Sequence, residues 1–397
     1  MSGGPLPDQQ PAAVHWVTEE RPAAAGGGGA IRQAGLLRAL LADHEVHLLT
    51  TAGPPDADLA GALASITEVP GRTTPSALDK ARWVALGLAG RGTPELAAAA
   101  EVRDRLAAHL REVPAGSIVV LNHPALAPLV ELRADVRWVL ELQYEPATQL
   151  IQEAPWSNGA RRLRLQRYAA ATRRAEVRLF PRAHRVVLPS DEDAAPVRAV
   201  VPDARVLIVP NALDPARYTP TPIPARPLVV LPGTLDFPPN VDGAQWLVTD
   251  VWPLVRQAVP GAELALVGRS PTAAIRALDG SDGVAVHADV PDMGVWFGQA
   301  RVIAVPLRFG TGTRLKALEA MALRRPLVGT PIGLAGLDLT DGVQALVADE
   351  PAAFAAALAR TLVEDMGAMV RAAAALLHER FTWDHVGRRF VEGITAP

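Results

Sequence analysis

The sequence predicts an α/β protein made of two doubly wound parallel-sheet domains. Three observations carry this. Short β-branched apolar runs alternate with longer Ala/Leu/Arg helical stretches, the pattern of parallel strands joined by helical crossovers. The alternation is broken once, where Pro210, Pro215, Pro220, Pro222, Pro224 and Pro227 rule out helix and central strand alike. It then restarts with the same rhythm to the end of the chain. Two such domains on one linker are expected to face each other across a central cleft at the carboxyl ends of their strands, where ligands bind in open α/β sheets.

The elements follow in order. Residues 1–12 are polar and rich in Gly and Pro, and an unordered start is expected there. A first domain over residues 13–215 has strands at Ala13 to Thr18, Glu45 to Thr50, Ser117 to Asn122, Val136 to Leu142, Arg185 to Pro189 and Arg205 to Pro210. Residues 216–227 form the linker. A second domain over 228–382 has strands at Leu228 to Leu231, Ala262 to Val267, Val284 to His287, Val302 to Pro306 and Pro326 to Gly329. Residues 383–397 carry a last helix from Trp383 to Val391, which could dock on either domain.

Composition removes several function classes. The 397 residues are 49% hydrophobic and 20% charged, enough for two substantial cores. The absence of cysteine excludes disulfides, thiolate nucleophiles and Cys-based metal sites, and fits a cytoplasmic protein. No run of about 20 apolar residues offers a membrane span. A formal charge of -3 provides no general attraction for nucleic acid. Lysine is scarce: of 39 basic residues only Lys80 and Lys316 are not arginine. Lys80 has no evident role. Together with the Ala, Arg and Pro bias this points to a high-GC bacterial source.

The most informative segment is Pro306-Leu-Arg-Phe-Gly-Thr-Gly-Thr-Arg-Leu-Lys-Ala-Leu-Glu-Ala-Met-Ala322, which runs from a buried strand through Gly310-Thr311-Gly312 into a helix that Thr313 is suited to cap. Glycines let the backbone approach a ligand, and the first amides of a helix attract an anion. Arg314 and Lys316 stand where the helix dipole disfavours a cation by about 0.3–1 kcal/mol each. A bound polyanion explains them, Lys316 holding a diphosphate while Glu319, three residues on and on the same face, takes sugar hydroxyls. Solvated charges on an ordinary strand-loop-helix are the bland alternative. A P-loop is excluded, because GxxxxGK[ST] does not occur.

The text from Gly310 to Pro331 resembles the donor-site signature of retaining GT-B glycosyltransferases, family 4 type, also described as glycosyl transferases group 1. Pro232-Gly-Thr-Leu-Asp-Phe-Pro-Pro-Asn240, Ala265-Leu-Val-Gly-Arg269 and Ile208-Val-Pro-Asn-Ala-Leu-Asp214 fall in the order that family expects, as do Gly26-Gly-Gly-Gly-Ala-Ile-Arg32, Leu36-Leu-Arg-Ala-Leu40 and Glu45-Val-His-Leu-Leu49. The resemblance implies transfer of a sugar from a nucleotide diphosphate, UDP favoured, to a hydroxyl acceptor. The donor lies on the second domain and the acceptor on the first. Gly310, Thr311, Gly312 and Thr313 would meet the diphosphate or sugar through backbone amides, Lys316 the diphosphate, and Glu319 the ribose. Gly233 lies in the donor-domain loop, Arg269 at a strand end lining the cleft, and Val290, in His287-Ala-Asp-Val290, where main-chain groups read the base.

The sequence also departs from the family. Its usual pair of glutamates is reduced to Glu319, with Thr311 upstream, and Thr234 and Asn240 replace an arginine and a lysine, so Arg314 and Lys316 take over that charge. On the acceptor side, the glycines through Gly28 and Gly29 form a pliable loop followed by Arg32. His123, after Asn122, matches a histidine that contacts the donor sugar in relatives, or is a hydrogen-bonded structural residue. Gln143, Tyr144 and Glu145 stand where relatives show a His-Asn pair. The implied chemistry is front-face attack with Lys316, Arg314 and His123 as catalytic groups, and with neither metal nor cofactor. An epimerase or hydrolase on the same plan, or a non-catalytic nucleotide-sugar binder, remains open. Nine arginines from Arg161 to Arg185, offset by Glu176 alone, could make a weak peripheral contact with the inner face of an anionic membrane; a solvated face is the favoured reading.

Overall fold

The computed structural model describes residues 13–24, 27–72, 76–78, 81, 85, 99–312 and 314–397. The start expected to be unordered, Lys80, Gly26 and Thr313 lie outside the described residues. The chain divides into two compact units. One comprises Met1–Ile151, Asn158–Val209 and Gly387–Pro397, the other Gln152–Ser157 and Pro210–Val386.

The first unit holds a parallel sheet of β1 (Val14–Thr18), β2 (Val46–Thr50), β3 (Ser65–Glu68), β4 (Ile118–Asn122), β5 (Arg137–Glu141), β6 (Arg185–Leu188) and β7 (Val206–Ile208), in the order β3-β2-β1-β4-β5-β6-β7. The second holds β8 (Leu228–Pro232), β9 (Glu263–Gly268), β10 (Val284–Ala288), β11 (Val302–Val305), β12 (Leu327–Gly329) and β13 (Leu346–Val347), in the order β10-β9-β8-β11-β12-β13. In each sheet the chain works outward in one direction, returns, and continues in the other. The reversals fall between β1 and β4 and between β8 and β11. Such a switch point opens a crevice beside the strand ends.

The strands read as continuous apolar runs because both faces of the sheet are covered. In β8, Val229 and Leu231 point into one core and Leu228 and Val230 into the other; β9 and β11 repeat the division with Leu264 and Leu266 against Ala265 and Val267, and Val302 and Ala304 against Ile303 and Val305. Helix Pro351–Val363 closes the first core with Phe354 and Leu358. Helix Leu315–Ala322 closes the second with Ala317, Leu318 and Met321. Burial of a side chain such as Leu318 contributes roughly 1.5–3 kcal/mol, which fixes the helix whose start carries the conspicuous charges.

Two strands differ from the sequence expectation. β3 and β13 were not foreseen, because edge strands need no apolar run: Ser65-Ile-Thr-Glu68 is half exposed, and β13 is two residues long. The glycine loop is also shorter than expected. Helix Gly28–Leu40 begins inside it, with Gly27 as its extended N-cap residue. Burial of Leu36, Leu37 and Leu40 outweighs the poor helix propensity of Gly28 and Gly29. The last helix, Trp383–Thr395, is shared: Gly387–Pro397 counts with the first unit, where Phe390 meets Trp16 edge to face and Arg185 Nε donates to the Gly393 carbonyl at 2.9 Å.

Candidate functional site

At the β8/β11 switch point of the second unit, the loop after β11 leads into helix Leu315–Ala322 beside the loop after β8. Gly310 and Gly312 have φ of 123° and 83°, left-handed values at which a side chain would be strained. Lys316 reaches from the helix start towards β8, where its Nζ donates to Asn240 Oδ1 at 2.9 Å. Asn240 is itself held by its Nδ2, which donates to the Thr234 carbonyl at 2.9 Å. A Cβ added to Gly233 would stand 2.9 Å from Lys316 Nζ and 2.8 Å from Asn240 Nδ2. Gly233 therefore makes the space that the ammonium group occupies, and Asn240 receives the cation.

Burial dominates the electrostatics here. It pushes the Lys316 amine down to about 7, with the neighbouring Arg314 charge adding to the effect and Glu319 opposing it. Burial pushes Glu319 up to about 7, against the Tyr218 hydrogen bond and the Lys316 charge. Tyr218 Oη donates to Glu319 Oε1 at 3.3 Å, and burial with the Glu319 charge raises the phenol well above its usual value. Tyr218 was missed by sequence reasoning, since nothing in a proline-rich linker marks one tyrosine. Two groups poised near neutrality at the start of one helix suit a ligand that brings negative charge and hydroxyls.

Arg314 differs from its expected role. It is the N-cap residue of the helix, 8% exposed, and its guanidinium donates to the carbonyls of Gly310 at 3.0 Å, Ile332 at 3.3 Å and Thr311. It braces the glycine loop against the turn after β12 because those carbonyls, left over at a sharp turn, need donors. The Gly310 amide, expected to meet the diphosphate, donates to Gln152 Oε1 at 2.8 Å. Gln152 belongs to the second unit, although the sequence places it far upstream, and no local signal announces it. Arg269 follows β9 with an exposed side chain, and Val290 follows β10 and packs on the core.

The β1/β4 switch point of the first unit is built from acids and amides. His123 Nδ1 accepts from Ala125 N at 3.2 Å, capping the 3-10 helix Pro124–Glu131, and lies 3.7 Å from Glu19 Oε2. With Nδ1 accepting, the neutral ring carries its proton on Nε2. Glu19, which sequence reasoning missed, also holds Arg72 through two hydrogen bonds of 2.9 and 2.7 Å. Gln143 and Gln33 both donate to Glu20 Oε2, at 3.2 and 3.3 Å. Gly29 lets this group close up, because a Cβ there would fall 2.3 Å from Glu20 Oε2. Gly28 is exposed in the same first turn. Arg32, expected on the acceptor side, is 2% exposed and donates from Nε to Glu141 Oε1 at 2.6 Å, while Asn122 Nδ2 holds the other Glu141 oxygen. The apolar face of its helix carries it inward, and the buried acid at the end of β5 satisfies it.

Among the described residues, no group of three or more His, Cys, Asp or Glu side chains is placed to share a metal ion, and no helix is long and apolar enough to cross a membrane. The arginines of helix Gly159–Leu179 are largely exposed, apart from Arg173.

Residues 226–364 match the family model described as glycosyl transferases group 1. Among solved structures, the chain is similar to sucrose-phosphate synthase from Thermosynechococcus elongatus, at 17% identity over 96% of this chain and 98% of that one, with a TM-score of 0.72. It is similar to the HepE protein of Anabaena in complex with UDP-glucose, at 14% identity over 97% and 100%, TM-score 0.69. It is also similar to the trehalose-6-phosphate synthase OtsA, at 14% identity over 97% and 99%, TM-score 0.68. No curated protein matches the sequence. The fold is the GT-B fold, with two Rossmann-like doubly wound domains.

Proposed function

We propose that the chain is a glycosyltransferase that moves a hexosyl group from a nucleotide-diphosphate sugar, UDP-sugar first among them, to a hydroxyl of an acceptor. The observation that carries this is Lys316, delivered by the start of a helix into a space that Gly233 leaves open and Asn240 lines. An ammonium drawn partly out of water without a counter-charge is costly and becomes a strong site for an anion. The match of residues 226–364 to glycosyl transferases group 1 supports the assignment, as does similarity to a protein whose structure holds UDP-glucose.

In the proposed reaction, the acceptor oxygen attacks the anomeric carbon from the face that the diphosphate leaves. The bond from that carbon to the diphosphate oxygen breaks, the acceptor proton passes to the departing diphosphate, and configuration is retained. Lys316 stabilises the growing negative charge, the largest contribution that preorganised groups usually make. Arg314 acts as a positioning residue by holding the carbonyls of Gly310, Thr311 and Ile332. Glu319, aligned by Tyr218, takes the ribose hydroxyls, and the Thr311, Gly312 and Thr313 backbone, Arg269 and Val290 border the donor. His123 serves as a catalytic group, and Gln143, Gly28 and Gly29 form the acceptor side. With Lys316 supplying the charge, the reaction runs without a divalent ion or a cofactor, in the cytoplasm and without nucleic acid. The arginines from Arg161 to Arg185 are mostly solvated, apart from Arg173 and the half-buried Arg185, and a weak membrane contact through them would show as vesicle binding.

The test is thermal shift against UDP, GDP, dTDP and their glucose conjugates, followed by turnover with and without EDTA. A ligand that binds only the folded state raises the melting temperature. A UDP-selective rise that Lys316→Ala abolishes supports the assignment, and equal shifts in both proteins refute it. Product formed from donor alone would favour the epimerase or hydrolase.

A further inference from the structure

We propose that a cavity in the first unit, between the 3-10 helix Pro124–Glu131 and helices Pro146–Glu153 and Gly159–Leu179, binds a neutral, ring-bearing apolar alcohol. That this alcohol is the sugar acceptor rests on the transferase function proposed above; its binding stands on the cavity alone.

The cavity measures about 280 Å³. Protein interiors are packed with few voids larger than a water molecule, and ligand pockets begin near ~300 Å³. A cavity of about 150 Å³ accepts benzene, so this one has room for a bicyclic ring system. Its walls include Tyr144, Leu150, Tyr168, Ala175, Leu179 and Phe180. It opens from the carboxyl side of β4 and β5, since Pro124 and Tyr144 follow their last residues, Asn122 and Glu141, by only a few positions. Ligands of open α/β sheets are found on that side.

One end is polar. Glu176 contributes to the lining and is 3% exposed. Its Oε1 accepts from Ala147 N at 3.2 Å, while Oε2 lies 2.8 Å from Arg173 Nη1. Arg173 Nη1 also donates to Glu145 Oε1 at 3.1 Å. Two buried carboxyl groups thus share one guanidinium. Burial, then the Glu145 charge and a hydrogen bond to the Glu145 carboxylate, push Glu176 up to about 9. The cluster is then a carboxylic acid, a carboxylate and a guanidinium, neutral as a set.

This chemistry selects the ligand. A hydroxyl can donate to the Glu176 carboxyl, the member of the cluster that lines the cavity. A carboxylate would bring an unpaired charge beside Glu145 in an apolar space, which is costly. A sugar has hydroxyls on every side, and apolar walls would strand most of them without partners. The ligand is therefore a fused-ring alcohol or phenol, uncharged at neutral pH, with one hydroxyl directed to Glu176.

Isothermal titration with 2-naphthol, and with 2-naphthoate as its charged counterpart, tests the inference in the full chain. Saturable one-to-one binding of 2-naphthol is expected, with 2-naphthoate at least about tenfold weaker. Ala175→Phe and Gln149→Trp, which fill the space from two different helices, should each weaken 2-naphthol at least about tenfold while keeping the cooperative melting transition. If one variant fails to fold, the other decides. No binding by the wild type, equal binding of naphthol and naphthoate, or unchanged binding in a folded filled variant would overturn the inference. A UDP thermal shift measured on the same samples keeps the two readings apart. Naphthol binding without a UDP shift leaves the cavity and sinks the donor site, and the reverse result sinks the cavity alone.

Discussion

The two switch points share a topology and differ in charge. Beside β8 and β11, the strand ends carry glycines and a half-buried lysine, with Asn240 to receive it and Glu319 turned to a tyrosine. Beside β1 and β4, the same place in the fold carries Glu19, Glu20 and Glu141, tied to His123, Gln33, Gln143 and Arg32. One crevice sets a cation against an amide oxygen. The other gathers carboxylates around amides, an imidazole and a guanidinium. A doubly wound sheet supplies the position of a site, and a handful of side chains at the strand ends decide what it accepts.

The contrast is most easily broken at Arg32. If its charge serves to satisfy Glu141 inside the first unit, then Arg32→Met leaves a buried carboxylate without its counter-charge, held by Asn122 alone. The expected loss is about 3–5 kcal/mol of stability, the usual consequence of removing one partner of a buried pair. Urea unfolding followed by tryptophan emission reads this, with Trp16 and Trp138 buried in the affected sheet. The UDP-induced thermal shift should persist at temperatures below the new transition. An unaltered unfolding curve would return Arg32 to the ligand-binding groups.

Lys316→Ala acts on the other crevice and should spare the fold. Removing one preorganised donor from a developing oxyanion costs about 10²–10³ in kcat, so turnover of the sugar nucleotide should fall by that factor with a nearly unchanged melting temperature for the free protein. Near-normal turnover would remove Lys316 from the chemistry. Gly233→Ala should be milder, since its Cβ intrudes on the Lys316 ammonium and the Asn240 amide without deleting either. About a tenfold weaker affinity for UDP is expected, equivalent to ~1.4 kcal/mol. A Gly233→Ala protein that binds UDP normally would show that the cradle is wider than its contacts imply.

The fold and the placement of Lys316 at a helix start were legible because both rest on local rules. Apolar runs on two-faced strands mark the sheets, and a cation at the wrong end of a helix marks Lys316. Contacts between residues distant in sequence were not legible. That Gln152 meets Gly310, Tyr218 meets Glu319 and Glu19 approaches His123 depends on how strands order in space, and no spacing in the sequence encodes it. Sequence shows a charge but not its partner, so it does not show that Arg314 meets loop carbonyls or that Arg32 meets a buried acid. Asn240 looked like the loss of a family cation, and only the structure shows Lys316 delivered to it.

The smallest expected effect is also the one that separates a ligand-binding lysine from a structural one. The Lys316 amine, lowered to about 7, binds fewer protons in the folded chain than in the unfolded chain between about pH 7 and 10.5, so its contribution makes stability rise with pH there. Glu319, raised to about 7, binds more protons when folded between about pH 4.5 and 7, so its contribution makes stability fall with pH there. Together they place the least stable point of the free site near pH 7, where each group bears part of its burial cost. A diphosphate favours the ammonium form, and ribose hydroxyls favour the carboxylate. UDP should therefore take up protons above pH 7, through Lys316, and release them below pH 7, through Glu319. Calorimetric titration at pH 8 and at pH 6, each in two buffers of different ionisation enthalpy, reads the sign directly, with fewer than one proton expected at either pH. Lys316→Ala should remove the uptake at pH 8 and Glu319→Gln the release at pH 6. Proton exchange of one sign throughout, or none at either pH, would mean that the pair does not contact the ligand.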